Sequence, residues 1–199
     1  MIAGGNNRLQ VKDLVTLGVL TTVFIVIFAV GGMLLGVLPV MYLFMPAAVA
    51  VPLGTVFMLL MAKVAKTGTF LLSGILQGTV LLLLGVYWPM VLAIIIAALL
   101  GEIIIGGSYK SFRRIAVGYA VLICGYSLGS FVPLMFFADS YKVMAVNRGY
   151  EAAYIDKLIE LLNGPVLAGV LAVSITCALL GAFLGRRILK KHFEKAGIV

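Results

Sequence analysis

The sequence predicts an all-α membrane protein: a bundle of six transmembrane helices with both termini on the cytoplasmic side. Three observations predict it. Hydrophobic residues make up 63% of the 199 residues and charged residues 11%, against about 45–50% and about 25% in soluble domains. The mean hydropathy of +1.21 means more apolar surface than a soluble chain of this length can hide, and it excludes disorder as well. The charges are also clustered. Residues 14–62, 67–101, 115–138 and 161–185 contain no Asp, Glu, Lys or Arg, which at about 20 apolar residues per span leaves room for two, nearly two, one and one helices.

Each helix follows from its apolar run and its breakers. The first covers residues 14–34, and Gly36 and Pro39 end it, so that 37–46 reads as a short apolar connection or re-entrant segment. The second, 47–64, carries Pro52 near its start and closes on Lys63, Lys66 and Gly68. The third covers 69–85. An aromatic turn, Val86-Tyr87-Trp88-Pro89, then leads into the fourth, 90–105, because proline suits the first turn of a helix. The fifth, 115–137, is interrupted near Pro133, and the sixth covers 165–184. No linker divides the chain, so 1–199 reads as one membrane domain with a basic tail, 185–199.

Orientation follows from the cations. With the N-terminus inside, twelve of the fifteen lie on the cytoplasmic side: Arg8, Lys12, Lys63, Lys66, Lys110, Arg113, Arg114, Arg186, Arg187, Lys190, Lys191 and Lys195. The outer face keeps Lys142, Arg148 and Lys157, set against Asp139, Glu151, Asp156 and Glu160. The outer loop, 138–164, contains an amphipathic stretch in which Tyr150, Tyr154, Leu158 and Leu161 recur at helical spacing. It predicts a short helix lying across the outer face before helix six.

Little in the chain suits catalysis, and no enzyme activity is expected. His192, the single histidine, falls in the basic tail, and Cys124 and Cys177 lie in separate apolar runs, where they read as small buried hydrophobes. There is no P-loop, and the clustering of charge offers no nucleic-acid surface. Glu102 is the one acidic residue inside an apolar helix. It reads either as a structural partner of Lys110 or Arg113 or as a functional intramembrane group. Small residues four apart, at Gly18/Thr22, Gly32/Gly36 and Gly181/Gly185, permit close helix contact, within the bundle or with a separate membrane subunit.

The outer face gathers a different chemistry. Met41, Tyr42 and Met45 come from the first outer connection, Tyr87 and Trp88 from the second, and Asp139, Tyr141, Lys142, Tyr150, Tyr154 and Asn163 from the third. Tyr126 and Ser130 face the same region from below. Aromatic residues at this depth also form membrane belts. Together with thioethers and a few polar groups, however, they suit a pocket for a small organic molecule.

The opening KDLVTLGVLTTVFIVIFAVGGMLLGVLPVMYLFMPA, the loop GGSYKSFRR and the ending LGRRILKKHFEKAGIV resemble the Trep_Strep, or MptD-like, family of bacterial membrane proteins over essentially the whole chain. That family is regarded as substrate-binding S components of energy-coupling factor (ECF) transporters. The resemblance implies that a vitamin, precursor or cofactor is captured at the outer face. The loaded protein would then dock on a transmembrane coupling subunit driven by two cytoplasmic ATPases. Many S components dock through an Ala-xxx-Ala motif on helix one; the nearest equivalent here is Gly18-xxx-Thr22, which leaves open whether the coupling module is dedicated or shared. No resident cofactor is implied. Haem is a rival to a vitamin as cargo, since Met41, Tyr42 or Met45 could supply an axial ligand, although no histidine lies on the outer face. Two other readings stay open: a self-sufficient channel or secondary transporter, and a membrane scaffold or sensor using its basic tail.

Overall fold

A computed structural model describes residues 9–195, with side chains as far as Lys191. Arg8 and the side chains of His192 and Lys195 lie outside the described residues. The described chain is all-helical: α1 (Val11–Leu35), α2 (Pro39–Lys63), α3 (Thr69–Leu83), α4 (Trp88–Ile105), α5 (Phe112–Phe136), α6 (Ala138–Asn147), α7 (Ala152–Leu161) and α8 (Gly164–Lys195). Five of these, α1, α2, α4, α5 and α8, are long and apolar enough to cross a membrane. Helix α3, with 15 residues, extends only about 22 Å.

Six helices pack side to side in a closed ring, in the order α1, α2, α8, α5, α4, α3 and back to α1, and α2 also meets α5 across the middle. Glycine sets the tightest contacts. A Cβ on Gly54 would lie 2.3 Å from the Gly181 carbonyl carbon, and one on Gly185 would lie 2.8 Å from Thr55 Cα. The Gly181/Gly185 pair therefore seats α8 directly on the α2 backbone, as expected where lipid supplies no hydrophobic drive and close van der Waals contact holds helices together. Inside the ring Phe57 packs between Phe70 and Tyr119, at 4.9 and 5.0 Å between ring centroids. Outside it, Val19, Val23, Val26 and Val30 of α1 and Leu92, Ile96, Leu99 and Leu100 of α4 are exposed, the surface an apolar solvent calls for.

Three sequence expectations are corrected. The segment 37–46 is not a connection beyond Leu38. Extended backbone at Leu38 places Pro39 at the first helical position, and α2 runs on through Pro46 and Pro52. Pro133 likewise lies within a continuous α5. Prolines persist in such helices because neighbouring helices re-satisfy the backbone groups they free. Finally, the segment 138–164 holds two short helices, not one. Ala145 of α6 and Ile155 and Leu158 of α7 bury against Leu43, Phe131, Leu134 and Val170, so a few side chains, the Ile and Leu each worth about 1.5–3 kcal/mol when withdrawn from water, seat this pair on the ring.

The two ends of the bundle differ in charge. A Lys66–Asp13 ion pair joins the start of α1 to the α2–α3 turn. The Arg186 guanidinium lies 4.5 Å above the Phe112 ring, joining the end of α8 to the start of α5. Lys12, Lys63, Lys110, Arg113, Arg114 and Arg187 therefore share that end, and α6 and α7 cover the opposite one.

Candidate functional site

The site is built where α1 ends, α2 begins and α3 turns into α4. Beneath α6 and α7 these segments leave a cavity of about 590 Å³, within the usual range for small-molecule sites. Phe28, Gly32 and Gly36 of α1 form one wall, Tyr42 and Met45 of α2 the next, and Gly85, Val86 and Tyr87 of the α3–α4 turn the third. Met90, Gly129 and Ser130 close the back, and Tyr141, Met144, Arg148, Tyr150, Tyr154, Ile155 and Leu158 make the roof. The lining combines aromatic and thioether surface with hydroxyl groups, and among the described residues it contains no carboxylate.

The hydroxyls are organised. Tyr42 turns its hydroxyl towards those of Tyr141 and Ser130, while the Tyr87 and Tyr141 rings meet edge to face at 5.6 Å. The Tyr154 hydroxyl donates to the Gly36 carbonyl at 2.7 Å, tying the roof to the α1–α2 turn. Burial pushes the Tyr141 hydroxyl above its ordinary range, and burial pushes that of Tyr154 up to about 12. Both therefore stay protonated, as donors, at neutral pH. Lys142 of α6 pairs with Asp156 of α7, so the two roof helices are joined to each other as well.

Beneath the cavity lies a sealed polar floor. The Tyr126 ring packs 4.6 Å from that of Phe28 and its hydroxyl donates to Gln77 Oε1 at 2.7 Å. Gln77 Nε2 donates to Ser73 Oγ at 2.8 Å, which faces Thr21 Oγ1 at 3.4 Å. All four residues are buried. The chain of hydrogen bonds links α5, α3 and α1 where an unpaired polar group would be costly.

Of the residues singled out from the sequence, Tyr42, Met45, Tyr87, Ser130, Tyr141, Tyr150 and Tyr154 come together in the lining. The others do not. Met41 and Trp88 point outwards, 48% and 53% exposed, because each is a helical step away from an inward neighbour. Tyr126 is sealed in the floor. Asp139 lies outside the cavity in a groove along α6 that Arg148 also lines, and Lys142 is engaged by Asp156. Asn163 caps α8, its Oδ1 accepting from Val166 N at 3.0 Å. Sequence reasoning missed Met33, Met90, Met144 and Arg148. For Arg148 a signal existed: it is the outer cation next to a turn glycine, with Tyr150 two residues on.

Glu102 requires its own correction. Its carboxylate turns away from Lys110 and Arg113 and caps the start of α3, accepting from Gly68 N at 2.8 Å, Phe70 N at 3.1 Å and Leu71 N at 3.2 Å. The Tyr109 hydroxyl donates to it at 2.6 Å. First-turn N–H groups have no partner within the helix and carry its positive partial charge, so they capture the carboxylate ahead of exposed cations. Burial, and then Glu102 beside it, push the Tyr109 hydroxyl upward.

The remaining small-residue motif stays open. A Cβ on Gly18 would meet nothing within 4 Å, and Thr22 is exposed, its hydroxyl returned to Gly18 O at 2.9 Å. Cys124 and Cys177 are unpaired and half-buried. Among the described residues no group of three or more His, Cys, Asp or Glu could hold a metal ion.

One comparison with known proteins is informative. The family described as hypothetical bacterial integral membrane protein (Trep_Strep) matches residues 11–195. No curated protein matches the chain, and no solved structure does.

Proposed function

Given that the chain belongs to the Trep_Strep family of bacterial integral membrane proteins, we propose that it is the substrate-binding component of an ECF-type importer, carrying a small solute without transforming it. The observation that carries this reading is the roofed cavity of about 590 Å³ at the end of the bundle away from the cations. Six helices cross the cell membrane, α3 being the short one, and the positive-inside rule sets the basic end in the cytoplasm. The cavity then opens outwards. A solute enters as α6 and α7 lift, and the hydroxyls and thioethers hold it once they close. The chain contains no P-loop, so the energy comes from partners: a transmembrane coupling subunit and two ATPases. The notch at Gly18 and Thr22 is the surface on which that subunit seats, because small residues there leave room for another helix.

The test has two parts. Protein purified gently in detergent is denatured, and the released small molecules are identified by mass spectrometry. A single compound at about one per chain is expected. Tagged protein purified from its own host is then examined for a coupling subunit and ATPases, which should accompany it. Uptake of the identified compound by cells that express this chain alone, without those partners, would overturn the reading in favour of a self-sufficient transporter.

A further inference from the structure

We propose that the solute is an anion: a ring-bearing, largely apolar small molecule whose carboxylate or phosphate group pairs with Arg148. This rests on the reading that the cavity is the solute site, and adds the solute's charge and shape.

Among the described residues Arg148 is the only charged residue in the lining, and it has no carboxylate at ion-pair distance. The neighbouring roof cations are already engaged, Lys142 with Asp156 and Lys157 with Glu160. The position of its guanidinium is also built. Arg148 stands just after α6 and reaches to the α3–α4 turn, where a Cβ on Gly85 would lie 2.8 Å from Nη1 and 3.0 Å from Nη2. Gly85 has φ +85°, so the turn requires glycine, and the absence of a side chain there lets the guanidinium lie against the turn backbone. A guanidinium presents a planar fork that matches a carboxylate or phosphate.

The rest of the lining agrees. Phenol hydroxyls stand near the cation as further donors, and no acidic side chain is present to receive an ammonium group. Phe28, Met45 and Met90 line the deeper part, where flat apolar surface packs against rings and thioether sulfur. A cationic solute would meet like charge at the mouth and find no acceptor carboxylate inside. An anion instead replaces the water on Arg148 while its ring body fills the interior.

The test uses two probes with the same ring body and different charge, 2-naphthylacetate and 2-naphthylacetamide. Their binding is measured by equilibrium dialysis on the full chain in phosphatidylcholine nanodiscs. The wild type is expected to bind the acid at least tenfold more tightly than the amide. R148Q should bind both alike, with an amide affinity matching the wild type, which also shows that the cavity is intact; R148K should keep part of the preference. Equal binding of the two probes by the wild type, failure of both to bind, or a preference that persists in R148Q overturns the inference. A preference that disappears in discs containing phosphatidylglycerol assigns the anion site to a lipid headgroup, and the free-solute proposal falls. Recovery of a neutral or cationic compound at one per chain would refute the charge assignment alone and leave the solute-binding reading standing.

Discussion

The Tyr154 hydroxyl reaches from α7 to the Gly36 carbonyl at 2.7 Å, and this bond joins the roof of the cavity to the turn between α1 and α2. It is one of few contacts between the roof and that side of the ring. A hydrogen bond of this kind contributes about 0.5–1.5 kcal/mol. Tyr154→Phe should therefore speed release of bound solute by up to about tenfold and raise amide hydrogen exchange across α7, with little change in the ring helices. Unchanged exchange in α7 would show that the bond does not hold the roof.

Alkaline pH should act on the same bond. Burial raises the Tyr154 pKa to about 12, against about 10 for an unperturbed tyrosine. The folded state thus favours the neutral phenol. Its contribution is complete below about pH 10 and is lost as pH rises towards 12. A spectrophotometric titration followed at the tyrosinate band should show late-ionising tyrosine absorbance in that window, and Tyr154→Phe should lose one tyrosine's worth of it.

Glu102 should matter for stability and not for solute binding. Glu102→Leu leaves the N–H groups of Gly68, Phe70 and Leu71 and the hydroxyl of Tyr109 without their acceptor, at a cost of about 1–3 kcal/mol for the first unsatisfied group alone. Thermal unfolding in detergent should shift down by several degrees, and Glu102→Gln, which keeps one acceptor oxygen, should lose less. An unchanged unfolding temperature in Glu102→Leu would mean that water replaces the cap.

Two glycines on exposed and buried faces should behave in opposite ways. Gly181→Leu drives a side chain into the α2 backbone, since even a Cβ would lie 2.4 Å from Ala50 O, and the protein should fail to accumulate as a monodisperse species. Gly18→Leu meets open space and should fold normally; if the proposed coupling subunit seats there, the variant should lose it on purification while keeping any bound solute. Normal recovery of that subunit would move the docking surface elsewhere.

The buried chain from Tyr126 through Gln77 to Ser73 gives a further check. Gln77→Leu removes the acceptor of the Tyr126 hydroxyl and the donor to Ser73. The two single changes, Gln77→Leu and Tyr126→Phe, should each destabilise by about 1–3 kcal/mol. The double variant should cost clearly less than their sum, as expected for residues of one network. Strict additivity in unfolding measurements would show that the groups act independently.

Helix identity and number of apolar runs were legible in the sequence because lipid demands long uncharged stretches, and few of those can be misread. Proline was the main source of error. The break at Pro39 does separate α1 from α2, but the connection read up to Pro46 and the interruption read near Pro133 lie inside α2 and α5, because tertiary neighbours, invisible in sequence, absorb the freed backbone groups. The lining of the cavity was legible in part by residue type and position, which brought Tyr42, Tyr87 and Tyr141 together, but not by direction. Met41 and Trp88 share the depth of their neighbours and face the other way, which depends on a helical phase that 37–46, read as a connection, and 86–89, read as a turn, could not supply. Glu102 was misassigned for a related reason: its partners are backbone N–H groups of another helix, and backbone donors leave no mark in a residue string.

The roof has a consequence for how such a protein diversifies. Everything that α6 and α7 bring to the cavity, from Tyr141 to Leu158, is encoded in one contiguous stretch that touches the ring through a handful of apolar anchors. Selection can rewrite that cassette without disturbing the glycine contacts between α2 and α8 on which assembly depends. Under the proposed function, solute preference and membrane assembly become separable traits, and grafting residues 138–162 between relatives is the natural way to exchange one while keeping the other.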